Sequence, residues 1–323
     1  MYNQETDLLI LEAVLPHVER TFIDVGAEKG AFSAWLAAHG LTGFAFEPLE
    51  QHAPSLQKLA AHARVQNFAY AIDAADGEHD FHIATAEDGT ALDFFHSLQE
   101  LKNDKRVRHT RAVRVVCRSL GSLVREKVLP PQVGVLKIDT EGNDLRVMQG
   151  MPPLKAQVLM AEYFTEGLYA GWTDAAPVKL IAMAESLGYT HCIAVRRRIN
   201  GVEWVTNQPL TFLPGDRGNL IFMGSSLFSQ SCTALSAVLA KAEQNVLSKT
   251  TELQSICDER QTLIKQLHEA CKQLQSAADE RLRETRAKQA VIDELTQVCD
   301  ERQIMIKQLH EACEKLRDST PGH

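Results

Sequence analysis

Three acids, Asp139, Glu141 and Asp144, stand where an apolar strand hands over to a helix in Leu136-Lys-Ile-Asp-Thr-Glu-Gly-Asn-Asp-Leu-Arg-Val-Met-Gln-Gly150. In an open parallel sheet, that end of a strand faces the ligand crevice. Carboxylates placed there can take a proton from a substrate hydroxyl, hold a cation, or order a loop by accepting its amides. Asp139 and Glu141 are therefore candidate bases. Glu162, at the end of the apolar run Gln157–Ala161, is a third. Each has a plainer role open to it: Asp139 as a helix cap, Glu141 as an acceptor for loop amides, and Glu162 in a strand-end ion pair. Asp139 and Glu141 could also share a divalent metal. Hard cations want more oxygen ligands than that, and with no third ligand inside the motif the expectation is that no metal is held.

A second strand-to-helix turn lies upstream, in Phe22-Ile-Asp-Val-Gly-Ala-Glu-Lys-Gly30. Gly26 and Gly30 bracket it, and glycine lets a backbone turn sharply and approach a ligand closely. The spacing lacks the middle glycine of a G-x-G-x-x-G dinucleotide fingerprint, so a ligand without a pyrophosphate fits this loop better. Glu47 ends the next strand, where an acid can accept bonds from two ribose hydroxyls. Nicotinamide enzymes use the same device, and a nicotinamide oxidoreductase stays open only if the missing phosphate-binding glycines are set aside.

The elements that must position these residues follow from periodicity. Strands are expected at Thr21–Val25, Gly43–Glu47, Val65–Ile72, Val133–Asp139, Gln157–Phe164, Thr190–Val195 and Gly218–Met223. Helices are expected at Thr6–Val18, Gly30–Ala38, Pro54–Ala63, Leu145–Gly150 and Pro177–Leu187. A turn at Asp76-Gly77 followed by Glu78–Ile83 suggests a hairpin beside the third strand. Strands alternating with helices imply an α/β fold, Rossmann-like and doubly wound, with a mostly parallel sheet.

Composition changes sharply beyond that region. From Ser225 to Thr320 there is no Gly, Pro, Trp or Tyr. Cys257-Asp-Glu-Arg260, Ala278-Asp-Glu-Arg281 and Cys299-Asp-Glu-Arg302 recur every 21 residues, which is three heptads. One seam column includes Leu253, Arg260, Leu267, Leu274, Arg281, Leu295 and Leu309. Its neighbours include Ile256, Leu263, Val291 and Val298, and then Cys257, Ile264, Cys271, Ile292 and Ile306. Such a stripe implies a long α-helical coiled coil and hence a homo-oligomer. Over Val246–Leu316 it would extend ~105 Å. The expected domains are 1–228, the α/β head; 229–318, the coiled coil; and 319–323, a disordered tail.

The whole chain, 323 residues with a formal charge of −8, argues against general affinity for nucleic acid. The polar, acidic start shows no signal peptide, and no apolar run is long enough to span a bilayer. Seven cysteines with no zinc spacing suit a reduced, cytoplasmic protein. The stretch Leu101–Arg118, with Lys102, Lys105, Arg106, Arg108, Arg111, Arg114 and Arg118, is either a solvated charged face or a lid that recognises an anion. Tyr163, Phe164, Tyr169 and Trp172 could stack on a sugar ring or pack at the sheet edge.

Taken together, the Gly26–Gly30 turn, Phe46-Glu-Pro48, Asp76-Gly77-Glu78 and Leu136-Lys-Ile-Asp-Thr-Glu-Gly142 resemble FkbM-type methyltransferases dependent on S-adenosylmethionine (SAM), from about Thr21 to Phe164. The resemblance implies a seven-stranded class I methyltransferase head and SAM, which carries no phosphate, as cofactor. By position it would place Asp24, Gly26, Glu28 and Gly30 around the methionine and ribose of SAM. Glu47 would hold the ribose, Ala71–Asp73 would lie near adenine, and Asp139 and Glu141 would face the reacting end. It further implies O-methylation of a hydroxyl on a carbohydrate or other small-molecule acceptor. Three positions depart from the family pattern: Glu28 where Asn is common, Asn143 where His is common, and Gly121 where Asp often follows a Ser/Thr-Leu pair. These departures are the best support for an alternative, a non-catalytic scaffold assembled by its coiled coil.

Overall fold

We describe the protein from a computed structural model, at residues 5–90, 92, 95–101, 107–165, 173–197, 203–207 and 211–318. Lys102, Lys105, Arg106, Tyr169, Trp172 and the tail 319–323 lie outside the described residues.

The elements run, in chain order, α1 (Glu5–Val14), β1 (Thr21–Val25), α2 (Ala31–Ala38), β2 (Thr42–Phe46), α3 (Ala53–His62), β3 (Val65–Phe68), β4 (Ala71–Ile72), β5 (Gly77–Ala86), β6 (Val107–Arg118), α4 (Leu120–Arg125), β7 (Gln132–Ile138), α5 (Asp144–Gln149), β8 (Lys155–Phe164), α6 (Pro177–Ser186), β9 (His191–Arg197), β10 (Glu203–Asn207), β11 (Arg217–Met223) and α7 (Ser225–Asp318). The main sheet has the order β10-β9-β11-β8-β7-β1-β2-β3. β3, β2, β1, β7 and β8 pair in parallel, while β11 is antiparallel to both β8 and β9. The expected seven strands form the sheet from β9 to β3, and β10 adds an eighth by a hairpin-like antiparallel pairing with β9.

Alternation along the strands builds a core on each face. In β8, Leu159, Ala161 and Tyr163 join a cluster with Leu120 and Leu123 of α4, Val147 and Met148 of α5 and Leu180 of α6. Val158 and Met160 point the other way, to Ile10 and Leu11 of α1, Phe32 and Leu36 of α2 and Leu56 of α3. A period of two with both faces covered is what a buried parallel strand requires.

Two expected elements turn out differently. The single strand Val65–Ile72 is two: β3 ends at Phe68 in the main sheet, and β4 resumes at Ala71 in a second sheet of order β4-β6-β5. The basic stretch is largely the long strand β6, paired antiparallel with β5 along its length.

The chain divides into two compact units, Met1–Lys249 and Thr250–His323. The change of composition near 228 therefore falls inside the first turn of α7, whose Leu227 and Leu235 are buried in the core of the first unit. In the second unit the helix exposes Ile256, Leu263, Leu267, Leu274, Val291, Leu295 and Leu309, all at least 40% accessible. No helix among the described residues is long and apolar enough to cross a membrane.

Candidate active site

The chain leaves β1 toward β2 and β3 on one side and later fills β7 and β8 on the other, so the order reverses between β1 and β7. The carboxyl ends of strands at such a reversal form the ligand crevice of an open α/β sheet. Here a cavity of about 110 Å³ opens there, lined by Gly26, Glu28, Glu47, Ala71, Asp139 and Glu141 of the sequence-predicted residues. His52, Tyr70, Phe81, His96 and Leu98 are among the other residues of its walls. Asp24, Gly30, Asp73 and Glu162 are outside the lining.

The turn after β1 is shaped by close backbone approach. Gly26 has φ +75°, and a Cβ there would stand 1.9 Å from the Asp139 carbonyl oxygen at the end of β7. Its N–H and that of Ala27 both donate to the Phe46 carbonyl, at 3.0 and 3.1 Å. Gly30 has φ +80°, and a Cβ there would press on Leu59 at 2.9 Å. Asp24 is fully buried, accepting from Ser33 Oγ at 2.7 Å with Lys137 Nζ at 3.5 Å. Gly30 and Asp24 thus fix the turn from behind.

Glu47 is held by two amides. Its Oε2 accepts from Glu28 N–H at 3.0 Å and its Oε1 from Leu49 N–H at 2.9 Å. Each oxygen keeps a lone pair for a ligand donor. Burial pushes its carboxyl up to about 7, against the pull of those amides. Glu28 takes φ +50°, an uncommon state for a side chain-bearing residue; its side chain points toward Lys29, 3.8 Å away, and is half exposed.

Ala71 lines the cavity, but Asp73 is turned to another task. Arg146 grips it with both Nε and Nη2, at 2.7 and 2.8 Å, and Asn143 Nδ2 donates at 3.4 Å. Burial alone would raise the Asp73 carboxyl; the Arg146 bonds outweigh it and hold it low. Asn143 also accepts from Gln99 at 3.0 Å, so it ties β4 to the segment 95–101. Gly121 is explained by packing: a Cβ there would meet the Pro152 carbonyl oxygen at 2.0 Å, leaving no room for an aspartate.

The acid motif forms one group with Glu162. Carboxylate oxygens of Asp139, Glu141 and Glu162 lie within 4.8 Å of one another. Lys137 is buried beside them, 3.0 Å from Asp139 Oδ2. Glu141 has φ +53°, and its Oε1 accepts from the Phe95 N–H at 3.2 Å. Asp144 is spent on structure, accepting from Thr140 N–H and Oγ1 and from Glu162 N–H. Burial, reinforced by the Asp139 charge, pushes Glu141 to about 8 and Asp144 to about 6, and it lifts Glu162 well above the ordinary carboxylate range. Several carboxyls crowded around one lysine leave the group either proton-loaded or in need of a cation.

Sequence reasoning missed Lys137, although a lysine inside an otherwise apolar strand signals a buried charge that must be paired. It also missed the segment Phe95–Leu101, which is anchored at several points. Ser97 pairs with His82, Ser97 Oγ donates to the Thr140 carbonyl, and His109 Nε2 donates to the Phe95 carbonyl while Nδ1 accepts from Leu101 N–H. Two open alternatives resolve to the plainer one. Tyr163 is fully buried with its ring edge-on to Phe212 and cannot stack on a sugar, and Phe164 is buried as well. In the basic strand, Arg108 pairs with Glu87, Arg114 with Asp80 and Glu78, and Arg118 with Asp76 and Glu126, so these charges are matched rather than held open for an anion.

Strand order, switch-point cavity and glycine turn together define a Rossmann-like methyltransferase fold. Residues 24–189 match the methyltransferase FkbM domain, and the chain belongs to that family. Similar solved structures include precorrin-6y C5,15-methyltransferase from Geobacter metallireducens GS-15, with 11% identity over 70% of this chain and 90% of that one, at a TM-score of 0.38. Magnesium protoporphyrin IX methyltransferase from Synechocystis PCC 6803, with bound SAM, has 11% identity over 69% and 79%, at 0.35. An rRNA methylase from Streptococcus thermophilus has 9% identity over 69% and 98%, at 0.34. Likeness this distant carries no argument about substrate or mechanism. No curated protein matches the chain.

Proposed function

We propose that the protein is a SAM-dependent O-methyltransferase acting on a hydroxyl of a carbohydrate or other small-molecule acceptor, working in the reducing cytoplasm as a homo-oligomer joined through α7. The observation that carries the catalytic part is the cavity shared by Gly26, Glu47 and the acids Asp139 and Glu141, in a chain of the FkbM methyltransferase family. The residues suit SAM: the Gly26 turn lines the cavity and Glu47 keeps acceptor capacity for ribose hydroxyls.

When bound, SAM supplies an activated methyl group on a sulfonium. The chain must hold the acceptor oxygen in line and accept its proton. Asp139 is the cavity-lining acid suited to that, because Lys137 keeps one of its oxygens in place while the carboxylate remains partly accessible. Glu162 lies in the same group, and because burial favours its neutral form it acts there as a hydrogen-bonding neighbour that orders the acids rather than as a second base. Glu141 shares its carboxylate with the Phe95 amide and holds that wall closed. The reading thus takes Asp139 as base, with Glu162 and Glu141 as orienting groups beside it.

A scaffold has no use for such a group, because buried acids without full partners cost stability. Support for the oligomer is the exposed Leu, Ile and Val stripe of the second unit, which only another helix would cover. The free, buried thiols of Cys117 and Cys192 suit a reducing compartment. The test is transfer of labelled methyl from SAM to a panel of sugars, sugar nucleotides and small polyols. Transfer by the wild type, lost at least 100-fold in Asp139→Asn with cofactor binding kept, is expected. A panel-wide absence of transfer, or full activity in Asp139→Asn, contradicts the proposal.

A further inference from the structure

Glu162 changes what the acid motif can hold. It reaches the group from β8, the strand beside β7, and supplies the third carboxylate that Asp139-Thr-Glu141 lacks by itself. Oε2 of Glu141 and Oε2 of Glu162 are shielded from solvent, and neither has a hydrogen-bond partner. The other atoms nearby are committed: Glu141 Oε1 to Phe95, one Asp139 oxygen to Lys137, and Asp144 to Thr140 and Glu162 N–H. Two shielded, undonated carboxyl oxygens in one group are an unfavourable arrangement unless something occupies the space between them.

A sulfonium does not answer that need. Its charge is wrapped by three carbons, and it offers neither an N–H nor a coordination position to converging oxygens. A hard divalent cation does both jobs, taking carboxylate oxygens at about 2.0–2.6 Å, so that opposite ligands stand about 4–5 Å apart. The 4.8 Å limit within which the three carboxylates converge suits a single coordination shell.

We propose that Asp139, Glu141 and Glu162 form a binding site for a hard divalent cation of the Mg²⁺ or Mn²⁺ class, with its remaining positions open to water and to an acceptor oxygen. The expectation of no metal came from finding only two ligands in the local motif; the third arrives through sheet pairing, 21 residues later. Binding of the cation stands on the geometry alone. Its use, acidifying an acceptor hydroxyl that it coordinates so that a neighbouring carboxylate can remove the proton, rests on the methyltransferase reading above.

The test uses the full chain and Mn²⁺ alone. Electron paramagnetic resonance counts free Mn²⁺ during titration, and calorimetry gives the affinity. One Mn²⁺ per chain is expected, with affinity weakened at least 10-fold in Glu162→Gln and again in Asp139→Asn. Both variants keep side-chain shape and relieve like-charge crowding, so their unfolding temperatures without metal should equal or exceed that of the wild type. No Mn²⁺ bound by the wild type, or equal affinity in the wild type and both variants, overturns the site. S-adenosylhomocysteine, titrated separately, keeps the two claims apart: its binding without Mn²⁺ binding removes the metal and leaves the methyltransferase, and the reverse outcome does the opposite.

Discussion

At the scale of single residues, burial holds several carboxyls of the site away from their ordinary charge states. Glu47 shows the consequence most cleanly. Its carboxyl, pushed up to about 7 by burial, binds a proton more tightly in the folded chain than in the unfolded one, where the ordinary value is 4.5. Below about 4.5 both states are protonated and the residue is neutral in its effect. As pH rises from 4.5 to about 7 the unfolded chain loses its proton first, so stability falls across that window. Glu47→Gln should remove this slope, gaining up to ~3 kcal/mol relative to the wild type between pH 4.5 and 8. Urea unfolding at several pH values measures it, and parallel profiles would refute the assignment. Gly26 argues from sterics instead. A side chain there meets the Asp139 carbonyl before it meets any ligand, so Gly26→Ala should destabilise the head by roughly 2–4 kcal/mol, by strain and clash. An unfolding midpoint within error of the wild type would show that the two strand ends can part. The sequence marked Gly26, Glu47, Asp139 and Glu141 because strand-end acids and turn glycines are local signals. The apolar flanks of Lys137 signalled a buried charge, but its partners, like the occupation of Asp73 by Arg146, were not legible, because each is placed by the fold.

At the scale of elements, the strands and helices around the switch point were legible from periodicity, since buried parallel strands leave dense apolar runs. The break between Phe68 and Ala71 was not: Val65–Ile72 is continuously strand-like, and only its two different sheets divide it. The pairing of β5 with β6 was hidden by the charge of β6, whose arginines face matching acids across and beside the hairpin. The segment Phe95–Leu101 carries no strand or helix pattern at all, yet its hydrogen bonds fasten it to the acid motif. Glu141 is one of those fastenings. In Glu141→Ala the Phe95 amide loses its acceptor, and hydrogen exchange at Phe95 and Ser97 should quicken at least 10-fold; Glu141→Gln, which keeps an acceptor oxygen, should stay near the wild-type rate. Equal exchange in all three would mean that the segment is held by its other bonds alone.

At the scale of the whole molecule, composition located the change from head to helix but not where the head stops needing the helix. Leu235 is almost fully buried and Leu227 nearly so, both in the core of the first unit. A chain ending at Gln230 should therefore lose about 1.5–3 kcal/mol relative to one ending at Lys249, the value of one large buried aliphatic side chain. Denaturant midpoints of the two fragments decide this. Light scattering of the Lys249 fragment against the full chain should show a lower mass per particle if the repeats beyond it join copies together; equal masses would place the association elsewhere.

The most direct test of the central claim is thermal unfolding of the full chain with SAM, S-adenosylhomocysteine and NAD in parallel. At ~100 times its dissociation constant a ligand adds ~2.7 kcal/mol, a shift of very roughly 2–4 °C for a domain of this size. The cavity at the β1–β7 switch point predicts that shift with SAM and S-adenosylhomocysteine and none with NAD. A shift with NAD alone, or with none of the three in a folded chain, would contradict the account.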